Sequence, residues 1–469
     1  MTQSRDRAIV LGGSIAGTLA ARVLADSYRE VLVVDRDRLL GVREPRRGAP
    51  HNVHAHGLLA RGHQVMEELF PGITQELSDT GVPTYDIGEI HWYFHNRRVQ
   101  LADTGLLSVA ARRPVLEAHL RARVAALPNV TFLEQHDILQ PQATEDGSRI
   151  TGVQVRRQAD GADSEPLTLT ADLVVDATGR GSRTSAWLEQ LGYQRPDEER
   201  IRIGLAYATR HYRMPRKAPA INVIPFTEHH RGAFFAPVGP DTYILTLNGM
   251  LGDHPPTDPE GFEAFLHSLT VPDIAEALRG AEPVDEPVRF SFPASVRRRF
   301  ERLTAFPDGL LVMGDAVCSF NPVYGQGMSV ASLEALTLRA HLARPGRPSS
   351  TAFLKDIAAV VDVPWEMAAG SDLAYPEVEG ERPPKVRFLN AYMARLQRAA
   401  SRDSKVTAAL MRVAGLLDPP QALLLPKTLI RVLISGFLRP AVRQPAARQA
   451  TGVPAPRTHE PTPAVPPQP

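Results

Sequence analysis

The chain has 469 residues, 43% of them hydrophobic and 22% charged, with a formal net charge of +1. This is the composition of a globular chain long enough for two or three domains around a large core, and its near-neutral balance excludes a strong electrostatic hold on nucleic acid or acidic membranes. A single cysteine, Cys318, excludes an internal disulfide and fits a reducing cytoplasm.

The opening "MTQSRDRAIVLGG" carries an apolar run too short for a signal-peptide core. Residues 7–37, "RAIVLGGSIAGTLAARVLADSYREVLVVDRD", read as strand, glycine turn, helix and strand. A helix follows around "QVMEELF", and "RRPVLEAHLRARVAAL" at 112–127 reads as an amphipathic helix with Pro114 near its start. "VTFLEQ" and "ITGVQVRRQ" alternate apolar and polar residues, as half-buried strands do, whereas "ADLVVDATG" at 171–179 is a continuous apolar run suited to a central parallel strand. Between 201 and 300 the character changes: "IGLAYATRHYRM", "AINVIPF", "GAFFAPV" and "TYILTLNG" predict antiparallel strands between Pro and Gly turns. An α/β pattern returns at 309–343, and helices with Pro breaks are expected from 351 to about 438. The stretch "ALLLPKTLIRVLISGFL" at 422–438 is interrupted by Pro426, Lys427 and Arg431; it is too short and too charged to span a bilayer and reads as a packed helix, with shallow membrane contact as the lesser reading. The Pro-rich remainder cannot bury a core and is expected to be disordered.

Two stretches carry chemistry. In "GGSIAG", Gly12 allows the tight turn out of the first strand, position 14 approaches a pyrophosphate, and Gly17 lets the helix pack closely on the sheet. The helix start adds free N–H groups and a positive dipole end. Ser14 replaces the usual second glycine and keeps a hydroxyl to donate. Asp35 ends the second strand, where a carboxylate holds a ribose diol and repels a 2′-phosphate. The second stretch, "GDAVCSFNPVYGQGMS" at 314–329, sets Asp, Asn, Pro and three glycines between a buried strand and a helix, a design that brings backbone N–H groups up to something flat and polar.

These residues resemble the FAD-dependent monooxygenase superfamily typified by para-hydroxybenzoate hydroxylase. The second stretch is similar to its motif G-D-A-A-H-x-x-x-P-x-x-G-Q-G, and "ARRPVLEAHL" to the helix that opens with a cofactor-contacting arginine, here Arg113. "RRGAPHNVHAHGLL" at 46–59, "LVVDATGRGSR" and "PWEMAAGSDLAYP" resemble a narrower group, the bacterial polyether and polyketide epoxidases and related polyketide-cluster flavoproteins. The resemblance covers residues 7 to 430. It implies an α/β fold: a Rossmann-like FAD-binding domain at 1–185 and 300–345, an inserted antiparallel-sheet substrate domain at 186–299, a C-terminal helical region at 346–438 and a tail at 439–469. It implies an FAD site of Gly12, Gly13, Ser14, Ile15, Ala16, Gly17, Asp35, Arg36, Arg46, Arg113, Asp315, Gly325, Gln326, Gly327 and Met328, with no metal and no assigned catalytic side chain. Asp315 is implied at the ribityl chain and the backbone of Gly325 to Met328 at the flavin pyrimidine.

The implied reaction is monooxygenation: reduced flavin adds O2 to form a C4a-hydroperoxide, which oxygenates an alkene or ring of a lipophilic polyketide-type substrate. The electron donor is NAD(P)H or a separate flavin reductase. Tyr207, Phe234, Phe235 and Tyr243 are candidates for the substrate pocket, with core packing as the other reading of each. His54, His56 and His63 lack an acid or cysteine at ligand spacing, so packing or hydrogen bonding near the isoalloxazine is expected rather than metal binding. Thr178 stands where the superfamily has an Asp tied to pyridine-nucleotide use, and no second glycine-rich βαβ unit follows. That departure leaves open an alternative, a cyclase that keeps FAD as a structural element. A flavin halogenase is disfavoured because the W-x-W-x-I-P motif is absent: Trp occurs only at 92, 187 and 365. Cys318 reads as a small buried thiol.

Overall fold

The computed structural model describes residues 5–160, 165–214, 221–226 and 229–435. The tail expected at 439–469 lies outside the described residues.

One layer is a parallel sheet of five strands in the order Leu310–Val312, Leu173–Asp176, Arg7–Leu11, Glu30–Val34, Val130–Leu133. Its inner strands are buried on both faces, which is why they read as unbroken apolar runs. Helices Ile15–Ala25 and Gly327–Leu342 pack against each other and share the core of this sheet. Gly17 and Gly314 make that possible. A Cβ on Gly17 would stand 1.8 Å from the Gly12 carbonyl oxygen, and one on Gly314 would stand 2.8 Å from Ala16 Cβ. The carboxyl ends of the strands open on one crevice, the place where open α/β sheets bind ligands.

The second large sheet has nine strands, built on the long pairing of Glu198–Arg213 with Val288–Arg298 and Thr242–Gly249. Its neighbours are antiparallel except where Asn222–Ile224 lies parallel to His91–Phe94. The sheet therefore recruits His91–Phe94, Arg97–Arg98 and Cys318–Ser319 from outside the expected 186–299 segment. Strand parity divides its side chains. Ala208, Tyr212, Phe235, Tyr243, Leu245 and Leu247 form a core with helix Pro259–His267. Tyr207, Thr209, Phe234 and Ile244 take the opposite face. Phe234 and Phe235 are adjacent, so they cannot share a face. Phe235 stacks on Tyr243 with ring centroids 5.4 Å apart, which removes both from the expected pocket.

The C-terminal helices are Ser350–Asp372, Pro384–Ala400, Ser404–Ala414 and Pro426–Ile434. Pro364 sits inside the first of these without ending it. The last helix, expected to be packed, is packed on one face only. Only Thr428 and Val432 are buried, while Leu425, Ile430 and Leu433 are 57%, 58% and 71% exposed. Spacing of four residues supplies one packed face and no more. Among the described residues no helix is long and apolar enough to cross a membrane.

Candidate cofactor site and adjoining cavity

At the first crevice edge, Gly12 turns with φ +95°, and a Cβ there would lie 2.6 Å from the Ala177 carbonyl oxygen. Gly13 N–H donates to Asp35 Oδ2 at 2.7 Å, and Asp37 N–H to Asp35 Oδ1 at 2.8 Å. Asp35 is thus tied to the glycine turn itself. Burial pushes its carboxyl above the usual range against the pull of Arg46 and the two backbone donors. Ser14 Oγ donates to Glu117 Oε1 at 2.6 Å and accepts from Arg113 Nη2 at 3.3 Å. Arg46 reaches Asp37 at 3.1 Å and Glu117 at 3.2 Å.

Glu117, which sequence reasoning passed over, is the hub of this network. It is 1% exposed and takes Arg46, Arg113 and Arg121 together. Burial raises its pKa, yet Arg113, Arg46 and Arg121 hold it well below the carboxylate range. The signal was present: Arg113, Glu117 and Arg121 stand at successive i,i+4 positions of helix Arg113–Ala125. Arg36 is exposed and joins no ion pair among the described residues.

At the second edge, Asp315 lies between the 178–179 turn and the start of helix Gly327–Leu342: a Cβ on Gly179 would be 3.9 Å from its Cβ, and one on Gly327 3.8 Å from its Oδ1. Burial raises the Asp315 carboxyl, opposed by the guanidiniums of Arg113, Arg180 and Arg298. Gly325 adopts φ +66°. Asn321 accepts from Val323 N–H at 3.1 Å and donates to Asp372 Oδ1 at 2.8 Å, where Tyr324 Oη also donates at 2.8 Å. Asp372, fully buried at the end of helix Ser350–Asp372, therefore braces the turn from below, and burial pushes its carboxyl up to about 7. Glu334 holds Gly314 N–H at 2.5 Å from within the next helix, its own carboxyl pushed up to about 8 by burial. Glu334 has no sequence signal, and Asp372 lies inside the quoted "PWEMAAGSDLAYP" stretch with nothing in its spacing to mark its role, because each works through the fold. Thr178 donates its hydroxyl to Asp176 Oδ1 at 2.6 Å. Cys318 is 1% exposed and burial raises its thiol well above the usual value.

These edges fit an anionic dinucleotide. Ser14 and Gln326 precede the two crevice helices without a side-chain cap, so the first N–H groups of both helices stay free. Gln326 Oε1 is buried without a partner, and the space a Cβ on Gly327 would take is open.

The loop 46–59 crosses from this crevice to the nine-stranded sheet. Leu59 Cδ2 and the Gly57 carbonyl oxygen lie 3.7 and 3.5 Å from where a Cβ on Gly325 would sit. Just before them, Asn52, His54 and His56 form one wall of a cavity whose other walls include Phe234, Val238 and Ile244. His63 is apart from this wall, held by Thr74 Oγ1 at 2.8 Å. Among the described residues no group of three His, Cys, Asp or Glu side chains is placed to hold a metal.

A glycine turn and a second glycine-rich turn facing one crevice at the end of a parallel sheet mark a dinucleotide-binding protein. The chain belongs to the FAD binding domain family, whose model matches residues 6–355. It is 34% identical over 403 residues to Protein Rv3254 of Mycobacterium tuberculosis, covering 81% of this chain and 83% of that one. It is 24% identical over 345 residues to squalene monooxygenase of Mus musculus, covering 69% of this chain and 52% of that one. In fold it is similar to a flavoprotein/dehydrogenase from Cytophaga hutchinsonii, with a TM-score of 0.64 at 14% identity and coverage of 92% and 98%. The chain is an FAD-dependent oxidoreductase of the monooxygenase superfamily.

Proposed function

We propose that this enzyme transfers one oxygen atom from O2 to a lipophilic, polyketide-type substrate, with epoxidation of an alkene as the reaction and hydroxylation as its nearest variant. The observation that carries the proposal is the approach of loop 46–59 to Gly325, where Gly57 and Leu59 border the space that a Cβ would take. Beside it lies a small cavity of about 20 Å³, with Phe234, Ala236, Val238 and Ile244 facing the polar wall of Asn52, His54 and His56. The likeness to a monooxygenase named for squalene, a lipophilic polyene, supports a lipophilic alkene as substrate and says nothing of its polyketide origin.

FAD supplies the activation of oxygen when bound. The chain's part is to hold and shield. In this reading Gly12 to Gly17 and Arg113 meet the pyrophosphate, Asp35, Arg36 and Arg46 the ribose side, Asp315 the ribityl chain, and Gly325, Gln326, Gly327 and Met328 the ring. The domain division at 185, 300 and 345 follows the same reading. The apolar side of the cavity, Phe234, Val238 and Ile244, would help to exclude water, so that substrate rather than solvent meets the activated oxygen. Thr178, its hydroxyl spent on Asp176, offers no free carboxylate for a pyridine nucleotide. A separate flavin reductase is therefore the proposed donor, ahead of direct NADPH.

Candidate polyenes incubated with the holoenzyme, reductant and air test this. The expected product is one oxygen atom heavier and forms only with both oxygen and reductant. An isomeric product formed without either would replace the proposal with the non-redox cyclase.

A further inference from the structure

The cavity beside loop 46–59 holds polar atoms that the fold leaves alone. Asn52 and His54 are 3% and 4% exposed, and neither amide atom of Asn52 nor Nε2 of His54 has a hydrogen-bond partner. Both residues line the cavity with His56. Buried polar atoms without partners are rare and costly, so three on one wall mark the place of a ligand's polar group.

Hydrogen-bond directions fix what the wall offers. Ala55 N–H donates to Thr246 Oγ1 at 3.1 Å, the Thr246 and Thr209 hydroxyls are 2.7 Å apart, and Thr209 Oγ1 is 2.7 Å from His54 Nδ1. From Thr246 through Thr209 to His54, every hydroxyl proton finds an acceptor. In the reverse direction Thr246 receives two donors, and its own proton has no acceptor among the described residues. His54 Nδ1 therefore accepts, and the ring carries its proton on Nε2. His56 is the opposite case. Its Nδ1 lies 2.9 Å from the His54 carbonyl oxygen, which only accepts, so the proton is on Nδ1 and Nε2 keeps a lone pair. Burial keeps both rings neutral, lowering His54 to about 4 and, with help from Arg113, His56 to about 3. The two rings line the same cavity.

We propose that His54 and His56 together bind a hydroxyl group of the substrate: its oxygen accepts from His54 Nε2–H and its proton goes to His56 Nε2. The substrate is then an apolar molecule with a neutral hydroxyl near its reacting carbon. An ether lacks the donor, a carboxylate lacks the donor and adds a charge, and a hydrocarbon lacks both. The inference rests on the monooxygenase reading in taking this cavity as the substrate's.

Titration of the holoenzyme with primary alcohols of graded chain length, their methyl ethers and the matching alkanes tests it, read by the change in flavin absorbance. The best alcohol should bind about tenfold tighter than its ether. His56→Leu should erase that preference, and Thr209→Val, which unfixes the His54 proton without altering His54 or His56, should weaken it. Equal binding of alcohol and ether by the wild type, or no binding of any alcohol, overturns the hydroxyl site. If the same protein still oxygenates a hydrocarbon polyene, the monooxygenase reading stands without it. Nitrogen-15 spectra of histidine-labelled protein read the pair without depending on flavin. Opposite neutral tautomers for His54 and His56, assigned by loss of each signal in His54→Leu and His56→Leu, are expected; identical tautomers or charged rings overturn the proposal.

Discussion

The crevice and the cavity adjoin, yet they are made of different material. At the crevice, backbone does the shaping: Gly12 and Gly325 at positive φ, and two helix starts without side-chain caps. At the cavity, side chains do it: Asn52, His54 and His56 against Phe234 and Ile244 from strands distant in sequence. A surface made of backbone needs glycine at fixed spacing, and glycine at fixed spacing is visible in a sequence. A surface made of side chains is decided by strand parity and long-range pairing, which leave no local mark.

Five substitutions probe that contrast. The largest effect is expected at Gly12. Gly12→Ala puts a Cβ against the Ala177 backbone and strains a residue at φ +95°, which should cost about 4 kcal/mol of stability, read by urea unfolding of the apoprotein. Next is Glu117→Gln, which leaves Arg46, Arg113 and Arg121 around an uncharged amide and should cost about 3 kcal/mol at neutral pH. The sign with pH follows from the direction of the shift. The folded pKa is depressed, so the contribution is present above the unfolded value of about 4.3 and is lost as pH falls towards the folded one. Wild type should therefore lose more stability than the mutant on acidification below about pH 4.

Gly327→Val separates cradle from scaffold. No atom but Asp315 Oδ1, at 3.8 Å, lies within 4 Å of the new Cβ, so folding should be spared. FAD affinity should fall about a hundredfold, or roughly 2.7 kcal/mol, by titration of apoprotein. Full affinity in this mutant would detach the turn from the flavin. The smallest effect belongs to the paired phenylalanines. Phe235→Leu should cost about 1 kcal/mol in stability and leave KM unchanged, because its ring stacks on Tyr243 in the far core. Phe234→Leu should change KM and spare stability. The reverse outcome would exchange the two faces of the sheet.

Much of the crevice was legible in the sequence, because "GGSIAG", Asp35, Arg113 and "GDAVCSFNPVYGQGMS" carry their spacing in the chain. The parallel strands were legible because burial on both faces demands unbroken apolar runs. What was missed has a physical reason in each case. Glu334 and Asp372 are buried acids whose partners come from other elements, and a lone acid in a helical stretch looks like a surface residue; Glu117 has two partners on its own helix, and an i,i+4 arginine pair looks like an ordinary solvated helix face. Phe235 and Tyr243 looked like Phe234 and Tyr207 because composition does not reveal parity across a sheet. The last helix, Pro426–Ile434, reads as mostly apolar with Lys427 and Arg431 inside it, and only its burial shows that one face alone is packed.

The central claim is that this chain uses the crevice and the cavity together to insert oxygen. Turnover of a hydroxylated polyene under oxygen-18 gas in ordinary water, with reductant supplied, tests it most directly by product mass. The account predicts one labelled oxygen atom per product molecule, and none from water. A product without the label, or one that forms equally well under nitrogen, would contradict it.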